Sequence, residues 1–127
     1  MAGPTAAPHL PQPVPVDAYG KGGFAFAGMS HRGSLLCLPD GLWAWPVASP
    51  ADIDAAALDP VFAAAGAVEL FILGSGKDFW LMPPSLRDRF SAVGMAVEVM
   101  TTGAAVRTYN ILLGERRRVA AGLIAVE

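Results

Sequence analysis

The chain of 127 residues holds a single cysteine, Cys37. That excludes an intrachain disulfide and any multi-cysteine metal site, and it points to a reducing compartment or to indifference to redox. Charge is also scarce. Asp, Glu, Lys and Arg make up 16% of the residues and the net charge is −2, with no basic stripe of the kind nucleic-acid binders carry. His9 and His31 have no carboxylate or further histidine at ligand spacing, so no metal is expected. The phosphate-binding spacing GxxxxGK[ST] is absent, GxSxG is absent, and the acidic residues form no convincing pair for acid–base work. The sequence therefore offers no catalytic constellation and implies no cofactor. Long hydrophobic runs are missing too. A spanning helix needs about 20 mostly apolar residues, and the nearest stretch, 55–73, is broken by Asp59, Pro60, Gly66 and Glu69. Residues 1–16 lack the basic start and apolar core of a signal peptide, and the arginines of a transit peptide. The expectation is a small soluble protein of the cytoplasm with no membrane span.

What is present is apolar. A hydrophobic fraction of 54% excludes disorder for most of the length. The chain length suits one domain. Pro4, Pro8, Pro11 and Pro13 mark residues 1–14 as a disordered proline-rich tail, which leaves 15–127 as a single domain. Phe24 and Phe26 alternate with alanines, as a strand does. Ser30-His31-Arg32-Gly33 reads as a turn. Leu35–Leu38 and Leu42–Trp45 read as further strands around the Pro39-Asp40-Gly41 turn, and the three strands predict an antiparallel meander. Ser49-Pro50-Ala51-Asp52 looks like a helix start, and Asp59-Pro60 repeats the signal, so two short helices or one broken helix follow.

The second half alternates more clearly. Val68–Leu73 is a strand ended by Gly74-Ser75-Gly76. Pro83 and Pro84 open a helix with Leu86, Phe90 and Val93 on one stripe and Gly94 at its end. Met95–Met100 is a strand. Thr101 or Thr102 caps a helix that carries Ala105, Tyr109 and Leu112 on one face and stops at Gly114. Val119–Val126 is a last strand. This order predicts an α/β fold with a central, partly parallel sheet, right-handed crossovers and helices against it. The strands are apolar at nearly every position, as when both sheet faces are covered.

Two stretches are candidate ligand sites. The Gly74, Ser75, Gly76 and Lys77 loop follows a strand where α/β folds place ligands, and its free N–H groups with Lys77 could hold an anion. The alternative is a tight strand exit. The helix beginning at Thr102 should open at the same sheet edge and bring Arg107, Tyr109 and Asn110 near it. The alternative there is capping and packing. Two other features are candidate partner contacts. Arg116, Arg117 and Arg118 suit either a helix C-terminus or an acidic partner. Trp80 suits either the core or an interface anchor.

Three stretches together carry a resemblance: Gly20-Lys21-Gly22-Gly23-Phe24, Leu73-Gly74-Ser75-Gly76, and Thr102-Gly103-Ala104-Ala105-Val106-Arg107-Thr108-Tyr109-Asn110-Ile111-Leu112 followed by Arg117-Arg118-Val119-Ala120-Ala121. From about residue 15 onward the chain resembles the Mth938-like family, a former domain of unknown function that includes a mitochondrial assembly factor for respiratory complex I. The resemblance implies a three-layer α/β fold with a mixed central sheet, no established catalysis and no cofactor. The Ala/Gly/Arg-rich composition suits a bacterial protein. The function so implied is a non-enzymatic interaction protein with a protein partner, assisting complex I or another membrane complex. The alternative is a small-molecule or anion-binding module between the Gly74–Lys77 loop and the helix starting at Thr102. Oligomeric state is not legible.

Overall fold

The computed structural model describes residues 8–127. Strands β1 (Ala18–Gly20), β2 (Gly23–Phe26) and β3 (Met29–Arg32) form a small antiparallel sheet. Strands β4 (Leu35–Leu38), β5 (Gly41–Ala44), β6 (Leu70–Gly74), β7 (Ala96–Met100) and β8 (Val119–Leu123) form the main sheet, in the order β5-β4-β8-β6-β7. β6 pairs parallel with both β7 and β8, while β4 runs antiparallel to β5 and β8. Helices α1 (Ala55–Ala63), α2 (Pro84–Ala92) and α3 (Thr102–Gly114) complete the fold.

The meander is real but is built from different strands than expected. Ser30–Gly33 is not a turn. Ser30, His31 and Arg32 belong to β3, with Ala25 opposite Ser30 and Phe24 opposite His31. β3 is a largely exposed edge strand, so its polar residues mimic a loop. The turns sit at Lys21-Gly22 and Ala27-Gly28, where φ is +53°, +78°, +50° and +75°. Two consecutive positive φ values are the I′ geometry that closes two-residue hairpins. β4 and β5 form a separate hairpin inside the main sheet.

Alternation along the main-sheet strands sorts side chains to two faces. Leu36, Leu38, Phe71, Leu73 and Ala120 turn toward α1 and α2, meeting Leu58, Phe62 and Phe90. Leu35, Cys37, Ile72, Ala121 and Leu123 turn toward α3 and the small sheet, meeting Ala105, Tyr109, Phe24 and Phe26. The result is three layers. β7 departs from the fully covered pattern: it is the outer strand, and Ala96 and Glu98 are exposed.

Local chemistry sets the helix ends. Ser49–Asp52 starts only a 3₁₀ turn, Pro50–Asp52, with the Asp52 carboxylate accepting from the Ala48 and Ser49 N–H groups at 2.9 and 3.2 Å. Asp54 caps α1 by accepting from Ala57 N–H at 2.8 Å, and Pro60 lies inside that one helix rather than opening another. α3 stops at Gly114, as expected, but the left-handed cap falls beyond it. Gly114 is its last helical residue, and Arg116 takes the left-handed position at φ +61°. Arg116 N–H donates to Leu113 O and Arg117 N–H to Leu112 O, both at 3.0 Å, which closes a Schellman motif.

Residues 1–7 lie outside the described residues, but 8–14 are not the loose tail expected. His9 N–H donates to Leu42 O at 2.7 Å, and Leu42 N–H to Leu10 O at 3.3 Å, so this segment covers the outer edge of β5. His31 Nε2 lies 3.0 Å from Ser34 O, and His31 Nδ1 lies 3.0 Å from His9 Nε2. A carbonyl only accepts, so His31 carries its proton on Nε2, and Nδ1 accepts from His9. Burial holds the His31 pKa below 6.5, with the His9 charge adding to the effect and the Ser34 hydrogen bond opposing it.

Two predictions follow from this packing. A Cβ at Gly122 would sit 2.7 Å from the Trp45 ring and 2.8 Å from Phe71 Cζ, and Trp45 is itself tied by Nε1–H to Ala57 O at 3.1 Å. Gly122→Ala is expected to lose about 1–3 kcal/mol in denaturant unfolding, as overpacked cores do. The unfolded chain binds a proton on His31 at a higher pH than the folded one does. Stability should therefore fall as pH drops through about 6.5 toward the lower folded value. Thermal melts across that window should show the fall, and His31→Gln should flatten it.

Candidate functional site

Ligands of open α/β sheets bind beyond the carboxyl ends of the parallel strands. Here that edge brings together the end of β6, the start of α3 and the end of β8. Ile124 N–H donates to Gly74 O and Thr102 N–H to Gly76 O, both at 2.9 Å. The Thr102 hydroxyl accepts from Gly76 N–H at 2.9 Å and donates to Ile124 O at 2.7 Å. Ser75 N–H donates to Met100 O at 2.8 Å, and the Ser75 hydroxyl reaches Asp78 O at 2.6 Å and Met100 O at 3.1 Å.

This network accounts for most of the polar groups at the expected cleft. The N–H groups of Ser75 and Gly76 are already bonded within the protein. Thr102 is fully buried and caps nothing with its side chain. A Cβ on Gly74 would lie 3.0 Å from Thr102 Cα and 3.1 Å from Ala105 Cβ, so loop and helix are in contact with no space between them. Glycine at position 74 allows this close packing.

The other ligand candidates disperse. Asn110 grips the Val16 peptide from both sides: Val16 N–H donates to Oδ1 at 2.9 Å, and Nδ2 donates to Val16 O at 2.8 Å. It thereby ties α3 to the entry of the small sheet. Tyr109 is fully buried, and its hydroxyl makes no hydrogen bond of good geometry. Burial drives its pKa up, with the neighbouring Cys37 thiol adding to the rise. Burial likewise pushes Cys37 up to about 12, so it stays a neutral thiol at physiological pH. Arg107 and Lys77 are exposed.

The partner candidates also resolve in different ways. Arg117 Nε lies 2.6 Å from Glu69 Oε1, and Arg118 Nη2 lies 3.7 Å from Glu69 Oε2, so one carboxylate already answers two of the three arginines. Arg116 serves as the left-handed cap of α3. Trp80 is half-buried against the core on the α1–α2 side. Its neighbours project instead: Phe79 is 65% exposed and Leu81 is 74% exposed. Phe79, though not Leu81, lines an open groove of about 390 Å³ together with Pro50, Ser75, Lys77, Trp80 and Glu127. Of the first ligand set, Ser75, Gly76 and Lys77 border this groove, while Thr102, Arg107, Tyr109 and Asn110 do not. Neither Phe79 nor Leu81 is among the candidates read from the sequence. The cue was a run of apolar residues between the charged Lys77-Asp78 pair and the Pro83-Pro84 pair, too short for periodicity to assign a face.

Thr102→Val tests the structural role of the junction. It keeps the shape but strands the Gly76 N–H and the Ile124 carbonyl in a buried place. It should destabilise the fold by about 2 kcal/mol or more in chemical unfolding; a residue held only for a ligand would show no such loss.

The chain matches the family described as "Protein of unknown function (DUF498/DUF598)" over residues 16–124. An uncharacterised protein of Rhodobacter capsulatus is 40% identical over 87% of this chain and 84% of its own length. A Xenopus tropicalis protein named NADH dehydrogenase (ubiquinone) 1 alpha subcomplex assembly factor 3 is 30% identical over 86% of this chain, which spans 60% of that longer protein. Among solved structures, a Rhodopseudomonas palustris protein aligns with a TM-score of 0.84 at 53% identity, covering 99% of this chain and 93% of that one. A Bordetella pertussis protein described as a Mth938-like domain aligns with a TM-score of 0.75 at 30% identity, covering 98% and 92%. With its three layers, its mixed sheet and a match that runs through nearly all of its strands and helices, the chain belongs to the DUF498/DUF598 family and has the Mth938-like fold.

Proposed function

We propose that this protein is a non-enzymatic interaction protein that assists the assembly of respiratory complex I or of another membrane complex, working from the cytoplasmic side. The observation that carries the reading is the alignment of nearly the whole domain with a protein named as an NADH dehydrogenase assembly factor. At the edge where α/β folds hold substrates, the Ser75 and Gly76 N–H groups are already bonded within the protein, which supports a binding role over turnover. Phe79 and Leu81 supply contact chemistry: two large apolar side chains held in water, the first of them on the wall of a groove, are the kind of anchors a partner buries. Among the described residues no helix is long and apolar enough to cross a membrane, so the proposed contact with a membrane complex is through its protein subunits.

The test is genetic. Deleting the gene in a source organism that has complex I should reduce assembled complex and membrane NADH:quinone oxidoreductase activity. The wild-type gene should restore both. Phe79→Ser with Leu81→Ser, at exposed positions that leave the core intact, should fold normally and restore little. Normal complex I after deletion would remove this reading.

A further inference from the structure

The small sheet has a face that the described layers leave uncovered. Phe24 and Phe26 turn inward to the core, so Gly23 and Ala25 turn outward. Ala18 lies opposite Ala25, which lies opposite Ser30, and Gly23 lies opposite Arg32. This outer face is the floor of a depression of about 440 Å³. Its small side chains let another backbone approach the sheet closely.

The rim is cationic. Lys21 and Arg32 both line the depression, and no aspartate or glutamate does. Neither of the two forms an ion pair among the described residues. The Glu127 carboxylate and the Arg32 guanidinium both approach the Gly22 turn, and Arg32 borders Asp52 and Glu127 in a neighbouring depression without an ion pair to either. Lys21 is moreover a poor choice for its turn. At φ +53° asparagine or glycine would suit the I′ geometry better, and among the described residues the exposed lysine side chain makes no hydrogen bond or ion pair. The charge faces water with no intramolecular task.

The shape selects the kind of ligand. Small-molecule sites enclose about 70–90% of their ligand, whereas this depression is a shallow, open trough along three short strands. An extended chain fits such a trough.

We propose that the outer face of the β1–β3 sheet docks an extended acidic segment of a partner protein, with Lys21 and Arg32 holding its carboxylates and the alanine and glycine floor receiving its backbone. This deepens the assembly reading, on which it rests, by naming a surface and the chemistry of the partner.

The test uses the full chain and a capped peptide of alternating alanine and glutamate, about eight residues long so that it spans the strands. Amide NMR titration at low ionic strength should move the signals of Ala18, Ala25 and Ser30. Replacing glutamate by glutamine in the peptide should abolish those shifts. Lys21→Gln with Arg32→Gln, at exposed positions, should leave the remaining spectrum folded and weaken binding by about tenfold or more, as loss of charge complementarity does. Unchanged affinity in that variant, or shifts confined to other faces, would overturn the proposal. So would inorganic phosphate saturating the same amides as tightly as the peptide, since the site would then belong to a small anion. A failed titration together with a complex I defect on deletion removes this surface and leaves the assembly role. Peptide binding with normal complex I removes that role and leaves the surface.

Discussion

The Thr102 hydroxyl is the point on which the α/β half closes. It is fully buried, accepts from Gly76 N–H and donates to Ile124 O. Those two partners lie at the ends of β6 and β8, and Thr102 itself begins the helix that follows β7. Parallel strands leave frayed backbone groups at their carboxyl ends, and many α/β proteins use them for ligands. This chain satisfies the groups internally instead. A methyl in place of the hydroxyl would leave both partners unpaired where water is excluded, so the network holds together or fails as a unit.

Around that junction the main sheet works as a partition. Each strand sends alternate residues to opposite sides, and each side has its own core. The α1–α2 side is aromatic: Phe90 meets Phe62 edge-on at 4.9 Å and stacks on Phe71 at 5.6 Å, while Trp45 fills the space over Gly122. The α3 side also recruits the small sheet. Asn110 holds the Val16 peptide, and the Tyr19 ring rests against Gly103, where a side chain would collide with its hydroxyl. Here a helix residue with polar chemistry is consumed by joining two distant parts of the chain, which is why it is not free for a ligand.

What remains for function is what the fold does not consume. The Arg117–Arg118 pair is partly neutralised by Glu69. Phe79 and Leu81 stand in solvent on one segment. Lys21 and Arg32 border a shallow trough and form no ion pair among the described residues. The apolar pair offers buried area and the cationic pair offers orientation, two complementary contributions to recognition by a protein partner.

Much was legible in the residues alone. Absences ruled out disulfides, multi-cysteine metal centres and the common catalytic motifs. Strong periodicity placed α2 and α3, because burial of one stripe is a local property that spacing records. The Thr102–Leu112 and Arg117–Ala121 stretches pointed to the right family. Where a segment's environment is set by distant chain, the local pattern was ambiguous or misleading. Ser30–Arg32 looked like a turn because an exposed edge strand accepts polar residues. Gly74, Gly76 and Thr102 left packing and anion binding open, because glycine and threonine serve both with the same chemistry. Asn110 found its partner 94 positions away, at Val16. Composition and periodicity by themselves determined that this is an apolar α/β domain with no readable catalytic set, since those features depend on residue type and local spacing. Only the tertiary structure decided which polar groups the protein spends on itself and which it leaves in water, since hydrogen-bond partners across a sheet are chosen by the fold and leave no mark in neighbouring residues.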